Sequence, residues 1–168
     1  AACKAAAAAG EFAKCEELLD DVKDAVQIAQ GARFWGPRDH AACFEGVLKA
    51  CRGRGAWKEA RNVLERLENE VEPGNNEDDV EAVERAATAS DVAAIGACAR
   101  NIDDDAERRW SCARDLLDRL EARLKAPSRK SRLWRTKRER RQAYTSAMVV
   151  AGRAGRANEA LKLFDAFE

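Results

Sequence analysis

Strand-forming residues are scarce in this chain. It contains one tyrosine, five phenylalanines and few isoleucines, and only 6% of its 168 residues are aromatic. Alanine, leucine, glutamate, arginine, lysine and aspartate dominate instead, so helix formers outnumber the β-branched and aromatic residues that favour strands. The composition predicts an all-α protein, and the length is sufficient for a single domain with a buried core.

The chain also lacks an excess of either charge. Its 30 basic side chains are balanced by 30 acidic ones, so a basic surface for nucleic acid or membrane must be matched by an acidic surface elsewhere. No apolar run approaches the ~20 residues that a membrane-spanning helix needs. We therefore expect a soluble protein or a peripheral subunit that does not span a membrane.

Residues that commonly carry out chemistry are few. The chain has one histidine, His40, and six cysteines that include no CxxC pair, which argues against a zinc site. No glycine-rich phosphate loop is present, and the carboxylates fall at the spacings of solvated helix surfaces. His40 could pair with Cys43, but such a nucleophilic pair needs a third, orienting group, and His40 is instead expected near the start of a helix. The sequence therefore predicts no catalytic residue, no metal ligand and no cofactor.

The cysteines lie among alanines and other small residues, where cysteine behaves as a small apolar side chain. We interpret them mainly as packing residues in a reducing, intracellular compartment, with disulfides and reactive thiols as the alternatives. They are Cys3, Cys15, Cys43, Cys51, Cys98 and Cys112.

Internal repetition is the strongest pattern in the chain. Four twelve-residue segments align without gaps, at 11–22, 56–67, 109–120 and 156–167. Each has a small residue at its fifth position and apolar residues at its eighth, ninth and twelfth, which are the steps of one helix face. Each segment is therefore predicted to be an amphipathic helix. The ninth positions are Leu19, Leu64, Leu117 and Phe164.

A shorter helix of small and apolar residues is predicted ahead of each segment, and Gly10, Gly55 and Gly155 end three of these helices. Such helix pairs bury their apolar faces by stacking on similar neighbours, so the pattern predicts an α-solenoid of about four helix-turn-helix hairpins. Because both ends fall within the pattern, we expect this single domain to be part of a longer array. The hairpins occupy 1–29, 41–70, 88–125 and 142–168, with long inserts at 30–40, 68–87 and 126–141.

The last hairpin combines Tyr144, an Ala154-Gly155-Arg156 corner, Glu159-Ala160-Leu161 and Leu163-Phe164. In this combination it resembles a pentatricopeptide repeat, the helical-hairpin module of organellar RNA-binding proteins and a relative of the tetratricopeptide repeat. The segment 44–67 is similar. The resemblance implies a location in the mitochondrion or chloroplast and binding of single-stranded or ribosomal RNA.

In that family the residue after the first-helix aromatic contributes to base recognition, and the resemblance assigns this role to Glu45, Val92 and Thr145. Only Thr145 is polar and uncharged, so we expect RNA to be held mainly by its backbone. Basic side chains of the first helices and of the basic segment 129–141 would contact phosphates, and Trp134 would stack on a base. The candidate RNA-binding residues are Lys49, Arg52, Arg54, Thr145, Arg153, Arg132, Trp134, Arg135, Lys137 and Arg138.

A protein-binding scaffold is the alternative hypothesis. The zero net charge, the missing base-reading pairs and the oppositely charged inserts favour an accessory subunit of a large organellar assembly, such as a ribosome or an energy-converting membrane complex. Aromatic residues in the inserts would then contact protein partners. The candidates for that role are Phe34, Trp35 and Trp134.

Overall fold

The chain is all-α over the part that the structure describes. The structure is a computed structural model that describes residues 2–28, 36–72, 77–100, 105–125 and 133–167. Those ranges contain eight helices and no strand, which confirms the prediction of an all-α protein. The helices are α1 (Ala2–Ala9), α2 (Phe12–Ile28), α3 (Pro37–Arg54), α4 (Trp57–Glu70), α5 (Glu77–Cys98), α6 (Ala106–Lys125), α7 (Leu133–Arg153) and α8 (Ala157–Phe167).

Three helices begin earlier than the predicted hairpins do. Residues 37–40, 77–87 and 133–141 were assigned to inserts, but they form the first turns of α3, α5 and α7. In α3, Pro37 occupies a first-turn position where its missing N–H is harmless, and the Gly36 N–H donates to Asp39 Oδ2 at 3.3 Å. In α5, acidic side chains fill the first turn, where they complement the helix dipole. The inserts are correspondingly shorter than predicted.

The helices pack in a regular order. Each odd-numbered helix contacts the even-numbered helix that follows it, in the pairs α1–α2, α3–α4, α5–α6 and α7–α8. The odd-numbered helices also contact one another in series, and the contact between α3 and α5 is the most extensive. In addition, α2, α4 and α6 each contact the next odd-numbered helix. Each helix pair therefore supplies the surface on which the next odd-numbered helix packs.

Glycine closes three of the four helix pairs, as predicted. Gly10, Gly55 and Gly155 have φ values of 87°, 71° and 71°, in the left-handed region where a side chain would be strained. Gly55 also lies against the following helix pair, because a Cβ atom there would be 3.0 Å from the Arg100 carbonyl oxygen. Glycine at this corner thus permits both the turn and the close approach.

The repeated apolar positions form the core. At the ninth position of the repeated segment, Leu19, Leu64 and Leu117 are 0%, 1% and 3% exposed. Phe164 at the same position of the last segment is 49% exposed. The periodicity therefore predicted three buried residues correctly, and the fourth lies on the surface.

The cysteines are unpaired, and they contribute to the same core. All of them are free thiols, and Cys43 is the one that is half-buried rather than buried. The buried position of the other five agrees with their interpretation as packing residues. His40 lies in the first turn of α3, where it is 2% exposed and its ring is 5.2 Å from that of Phe44. Burial lowers the pKa of His40 below its ordinary value.

Candidate functional site

Three arginines connect the C-terminal ends of successive odd-numbered helices. Arg54 Nη1 donates to the carbonyl oxygen of Ala8 at 2.8 Å, and Arg100 Nη1 donates to that of Gly53 at 2.6 Å. Arg153 Nη1 donates to the carbonyl oxygen of Ala99 at 2.7 Å. We call Arg54, Arg100 and Arg153 the arginine ladder. The acceptors lie at or next to helix C-termini, where carbonyl groups lack intrahelical partners and carry partial negative charge.

The arginine ladder gives a structural role to two of the residues that the sequence predicts to bind RNA. Arg54 and Arg153 hold neighbouring helix pairs together through these hydrogen bonds. The sequence contained a signal for this role, because both arginines lie within two residues of a helix-closing glycine. Arginine side chains near a helix C-terminus commonly bond to its last carbonyl groups. The prediction from charge alone did not distinguish this structural use from phosphate binding.

Other candidates on the odd-numbered helices also have intramolecular contacts. Lys49 pairs with Glu45 one helical turn away, at 2.5 Å, and the Thr145 hydroxyl donates to the Arg141 carbonyl oxygen at 2.8 Å. Arg52 packs against Gly96, where an added Cβ atom would lie 2.7 Å from Arg52 Nε. The Arg52 side chain therefore occupies the space that a side chain at residue 96 would fill.

Removal of one ladder hydrogen bond is expected to have a modest, measurable cost. We expect Arg100→Ala to lower the free energy of unfolding by about 1 kcal/mol, because a charge-assisted hydrogen bond to a helix C-terminus is lost. Arg108→Ala is the control, since Arg108 is exposed and pairs with Asp105 at 3.7 Å, and it should have an effect below about 0.5 kcal/mol. Urea denaturation of both variants measures the difference. If both variants lose the same amount of stability, the ladder hydrogen bonds do not stabilise the fold.

The basic segment 129–141 lies only partly within the described residues. Arg132 falls outside them, as do Phe34 and Trp35, while Trp134 and Arg135 belong to the first turn of α7 and their side chains are not described. Further along α7, three cations point to solvent. These are Lys137, Arg138 and Arg141.

Arg140 in the same helix contacts the neighbouring helices instead. Its Nε donates to Glu121 Oε1 of α6 at 2.8 Å, its Nη2 donates to the Ala166 carbonyl oxygen of α8 at 3.2 Å, and its guanidinium lies 5.1 Å from the Tyr144 ring. One side of this part of α7 is thus fixed to its neighbours. The side that carries the three exposed cations is open to a ligand.

Two carboxylates and two arginines form a charge cluster around one buried carboxylate, and its members are Glu68, Asp91, Arg119 and Arg123. Asp91 of α5 is fully buried, and its two carboxylate oxygens accept hydrogen bonds from Arg119 Nη2 at 2.6 Å and Arg123 Nε at 3.1 Å. Glu68 of α4 accepts a 3.0 Å hydrogen bond from each arginine of α6. Burial raises the pKa of Asp91, against the opposing effect of the arginines. The cluster joins three helices.

A groove of about 350 Å³ lies between α4 and α6 beside this cluster. Its polar lining includes Arg61, Glu65 and Glu68 of α4 and Asp115 and Arg119 of α6, and Cys112 also faces it. Among the described residues, no three His, Cys, Asp or Glu side chains converge as a metal site would require. Within the same ranges, no helix has the length and apolar character needed to cross a membrane.

Large apolar side chains are exposed on the last helix pair. Val149 of α7 is 40% exposed, and Leu161 and Phe164 of α8 are 62% and 49% exposed. Leu161 and Phe164 are three residues apart and therefore share a face, which we call the α8 face. At the position of Leu161, the other three segments carry exposed charged residues, namely Glu16, Arg61 and Arg114.

Comparison of the chain with known protein families, curated proteins and solved structures finds no match. The pentatricopeptide resemblance therefore stays a prediction, and the interpretation of the surfaces depends on their geometry and charge.

Proposed function

We propose that the chain is an α-solenoid of four helical hairpins, of the pentatricopeptide or tetratricopeptide type, that serves as a protein-binding scaffold. The order of helix contacts supports the architecture, because the odd-numbered helices contact one another in series and each even-numbered helix up to α6 contacts the next odd-numbered one. By the resemblance, the scaffold would belong to an organellar assembly. It carries out no catalysis in this proposal.

The exposure of Phe164 is the observation on which the scaffold proposal depends. Leu19, Leu64 and Leu117 occupy the same position of the repeat and are buried, and their helices each contact the odd-numbered helix that follows. Among the described residues, Phe164 retains the apolar character of the position and has no such cover. Leu161 adds a second apolar side chain where the other segments are charged. An exposed apolar face at a position that is otherwise covered is typical of a docking surface.

One internal interface indicates the chemistry of the partner. In the first two helix pairs, Arg66 of α4 donates to Asp20 of α2 at 2.5 Å. Asp20 is the tenth residue of its repeated segment, and Asp165 is the tenth residue of the last one. We infer a partner helix that covers Leu161 and Phe164 with small or apolar side chains and places an arginine near Asp165.

Site-specific photo-crosslinking tests this surface. A benzophenone amino acid at Leu161 or Phe164 is expected to capture one partner from a native extract, and the same residue at Lys162, an exposed position on the same helix, should not. The cross-linked peptide should be helical and contain arginine, and Asp165→Lys should lower the yield. Equal capture at Lys162, or cross-links to a second copy of this chain, would contradict the proposal.

Single-stranded RNA is the second candidate ligand, and the exposed cations of α7 favour it. Lys137, Arg138 and Arg141 lie on one helix within five positions, and they project into solvent where phosphates could reach them. Replacement of all three by glutamate is expected to weaken binding and to reduce the dependence of log affinity on log salt by about 2, from the value of about 0.7 per contact. Filter binding across a salt series measures this slope.

An equal change of charge elsewhere provides the control for the RNA experiment. Lys14, Lys58 and Arg114 are exposed on the second helices α2, α4 and α6, and their triple replacement by glutamate should leave the slope near that of the unmodified chain. Equal losses in the two triple variants would indicate a nonspecific effect of net charge, and they would rule out a site on α7.

A further inference from the structure

Every repeated segment carries a carboxylate at its tenth position. In the first interface that residue is Asp20 of α2, which accepts a 2.5 Å hydrogen bond from Arg66, the eleventh residue of the next segment. Arg66 also donates to Glu70 of its own helix at 2.7 Å. One guanidinium is therefore shared by two carboxylates, one on α2 and one on α4.

The equivalent arginine of the next interface has different partners. Arg119 is the eleventh residue of its segment, and the tenth-position carboxylate on α4 is Glu65. Arg119 bonds instead to Asp91 at 2.6 Å and to Glu68 at 3.0 Å. Glu65 is exposed and, within the described ranges, has no ion-pair partner. Asp91 and Glu68 thus hold the arginine that the repeat would place beside Glu65.

Glu65 lines the groove between α4 and α6, whose volume is about 350 Å³. Leu64 and Leu116 contribute apolar surface to the lining, and Asp115 adds a second exposed carboxylate. The volume falls within the range of about 300–1,000 Å³ that is typical of ligand sites. The groove therefore has room and apolar surface for a long side chain, and it offers acceptors for a polar end group.

The charges of the lining favour a cationic ligand. Arg119 and Glu68 belong to the charge cluster, in which two arginines balance two carboxylates. The charged lining residues outside that cluster are Glu65, Asp115 and Arg61, so the carboxylates outnumber the cations by two to one. The Arg61 side chain is exposed and can extend into solvent. The groove thus carries an excess of negative charge that the chain itself does not neutralise.

We propose that the groove between α4 and α6 binds an arginine side chain of a protein partner, an inference that rests on the proposed scaffold function. The guanidinium donates to Glu65 and Asp115, and its aliphatic stem packs on Leu64 and Leu116. Arginine suits the groove better than lysine because its planar fork of donors can bond to two carboxylates at once. Arg66, shared by carboxylates of α2 and α4, is the precedent within the chain.

Titration of the full chain with argininamide, followed through the backbone amide NMR signals, tests the site without the partner. We expect argininamide to shift the signals of 61–68 and 112–119. Citrullinamide has a side chain of the same length without the charge, and it should shift none of them. Spermidine represents a cation that is not part of a protein, and it should bind more weakly than argininamide. Equal shifts from citrullinamide, tighter binding of spermidine, or argininamide shifts centred on the acidic surface of α2 would each overturn the proposal.

Charge-removing variants identify the acceptors. Glu65→Gln keeps the shape of the groove and is expected to weaken argininamide binding about fivefold, because a charge-assisted hydrogen bond near the surface is lost. Asp118→Asn is the matched control, since Asp118 is an exposed carboxylate of α6 outside the groove lining, and it should leave the affinity unchanged. Arg61→Gln removes the competing cation and should tighten binding about twofold. Equal losses in Glu65→Gln and Asp118→Asn, or weaker binding in Arg61→Gln, would overturn the proposal.

A cross-linker at the groove tests whether the arginine belongs to a protein. A benzophenone amino acid in place of Arg61 should capture an arginine-containing peptide from a native extract, and excess argininamide or Glu65→Gln should each lower the yield. Capture that neither change reduces would overturn the proposal. No residue of α8 takes part in this test, so the two surfaces are tested separately. Capture at Arg61 with none at Leu161 would contradict the α8 docking surface alone, and the reverse result would contradict the groove alone.

Discussion

Removal of both arginines from the charge cluster around Asp91 is expected to destabilise the chain more than any other change to its polar residues. Arg119→Met combined with Arg123→Met should lower the free energy of unfolding by about 3–5 kcal/mol, because the Asp91 carboxylate remains fully buried without a cationic partner. Methionine preserves most of the apolar stem of each arginine. Urea denaturation at neutral pH measures the loss.

A third substitution distinguishes loss of the charge pair from loss of packing. When Asp91→Asn is added to the double arginine variant, the buried charge is removed, and we expect most of the stability to return. Glu68→Gln is a milder control, because the Glu68 side chain is 35% exposed and water can replace its partners. If the triple variant is no more stable than the double variant, packing and not charge accounts for the effect.

The pH dependence of the double variant has a definite sign. Burial raises the pKa of Asp91 above its ordinary value of 3.8. At pH values between 3.8 and the raised pKa, the folded state therefore binds more protons than the unfolded state. The contribution of this group to stability therefore falls as the pH rises through that interval. Without the arginines the pKa of Asp91 rises further. The stability difference between the variant and the unmodified chain should be largest at neutral pH and should shrink as the pH falls.

The repeated helix faces could be predicted from the sequence because local periodicity determines them. The apolar steps of three and four residues indicated the core positions Leu19, Leu64 and Leu117, and the helix-closing glycines indicated the corners. The starts of α5 and α7 were missed for the same physical reason. Their first turns are rich in charge and have little apolar periodicity, so they were interpreted as inserts.

The polar contacts depend on residues far apart in the chain, and local patterns do not reveal them. Asp91 lies inside α5, and its arginine partners are 28 and 32 residues away. The ladder hydrogen bonds join residues that are 46, 47 and 54 positions apart. In both cases the sequence shows the charged residue, but its partner can be identified only from the packing of the helices.

The second large effect is expected at a position that the four repeated segments share. Leu64→Ala should lower the free energy of unfolding by about 2–5 kcal/mol, because Leu64 is 1% exposed and its removal leaves a cavity in the core. Phe164→Ala changes the equivalent residue of α8, which is 49% exposed, and it should cost about 0.5 kcal/mol or less. Thermal or urea denaturation of the two variants gives the comparison.

The contrast between these two substitutions separates a structural role from a binding role at the same repeat position. If the α8 face binds a partner, Phe164→Ala should retain the stability of the isolated chain and should lose cross-linking from a benzophenone residue at Leu161. Leu64→Ala should lose stability, since Leu64 is buried within the chain itself. A loss of stability in Phe164→Ala as large as that in Leu64→Ala would show that Phe164 already contributes to the core, and it would remove the physical basis for a docking surface on α8.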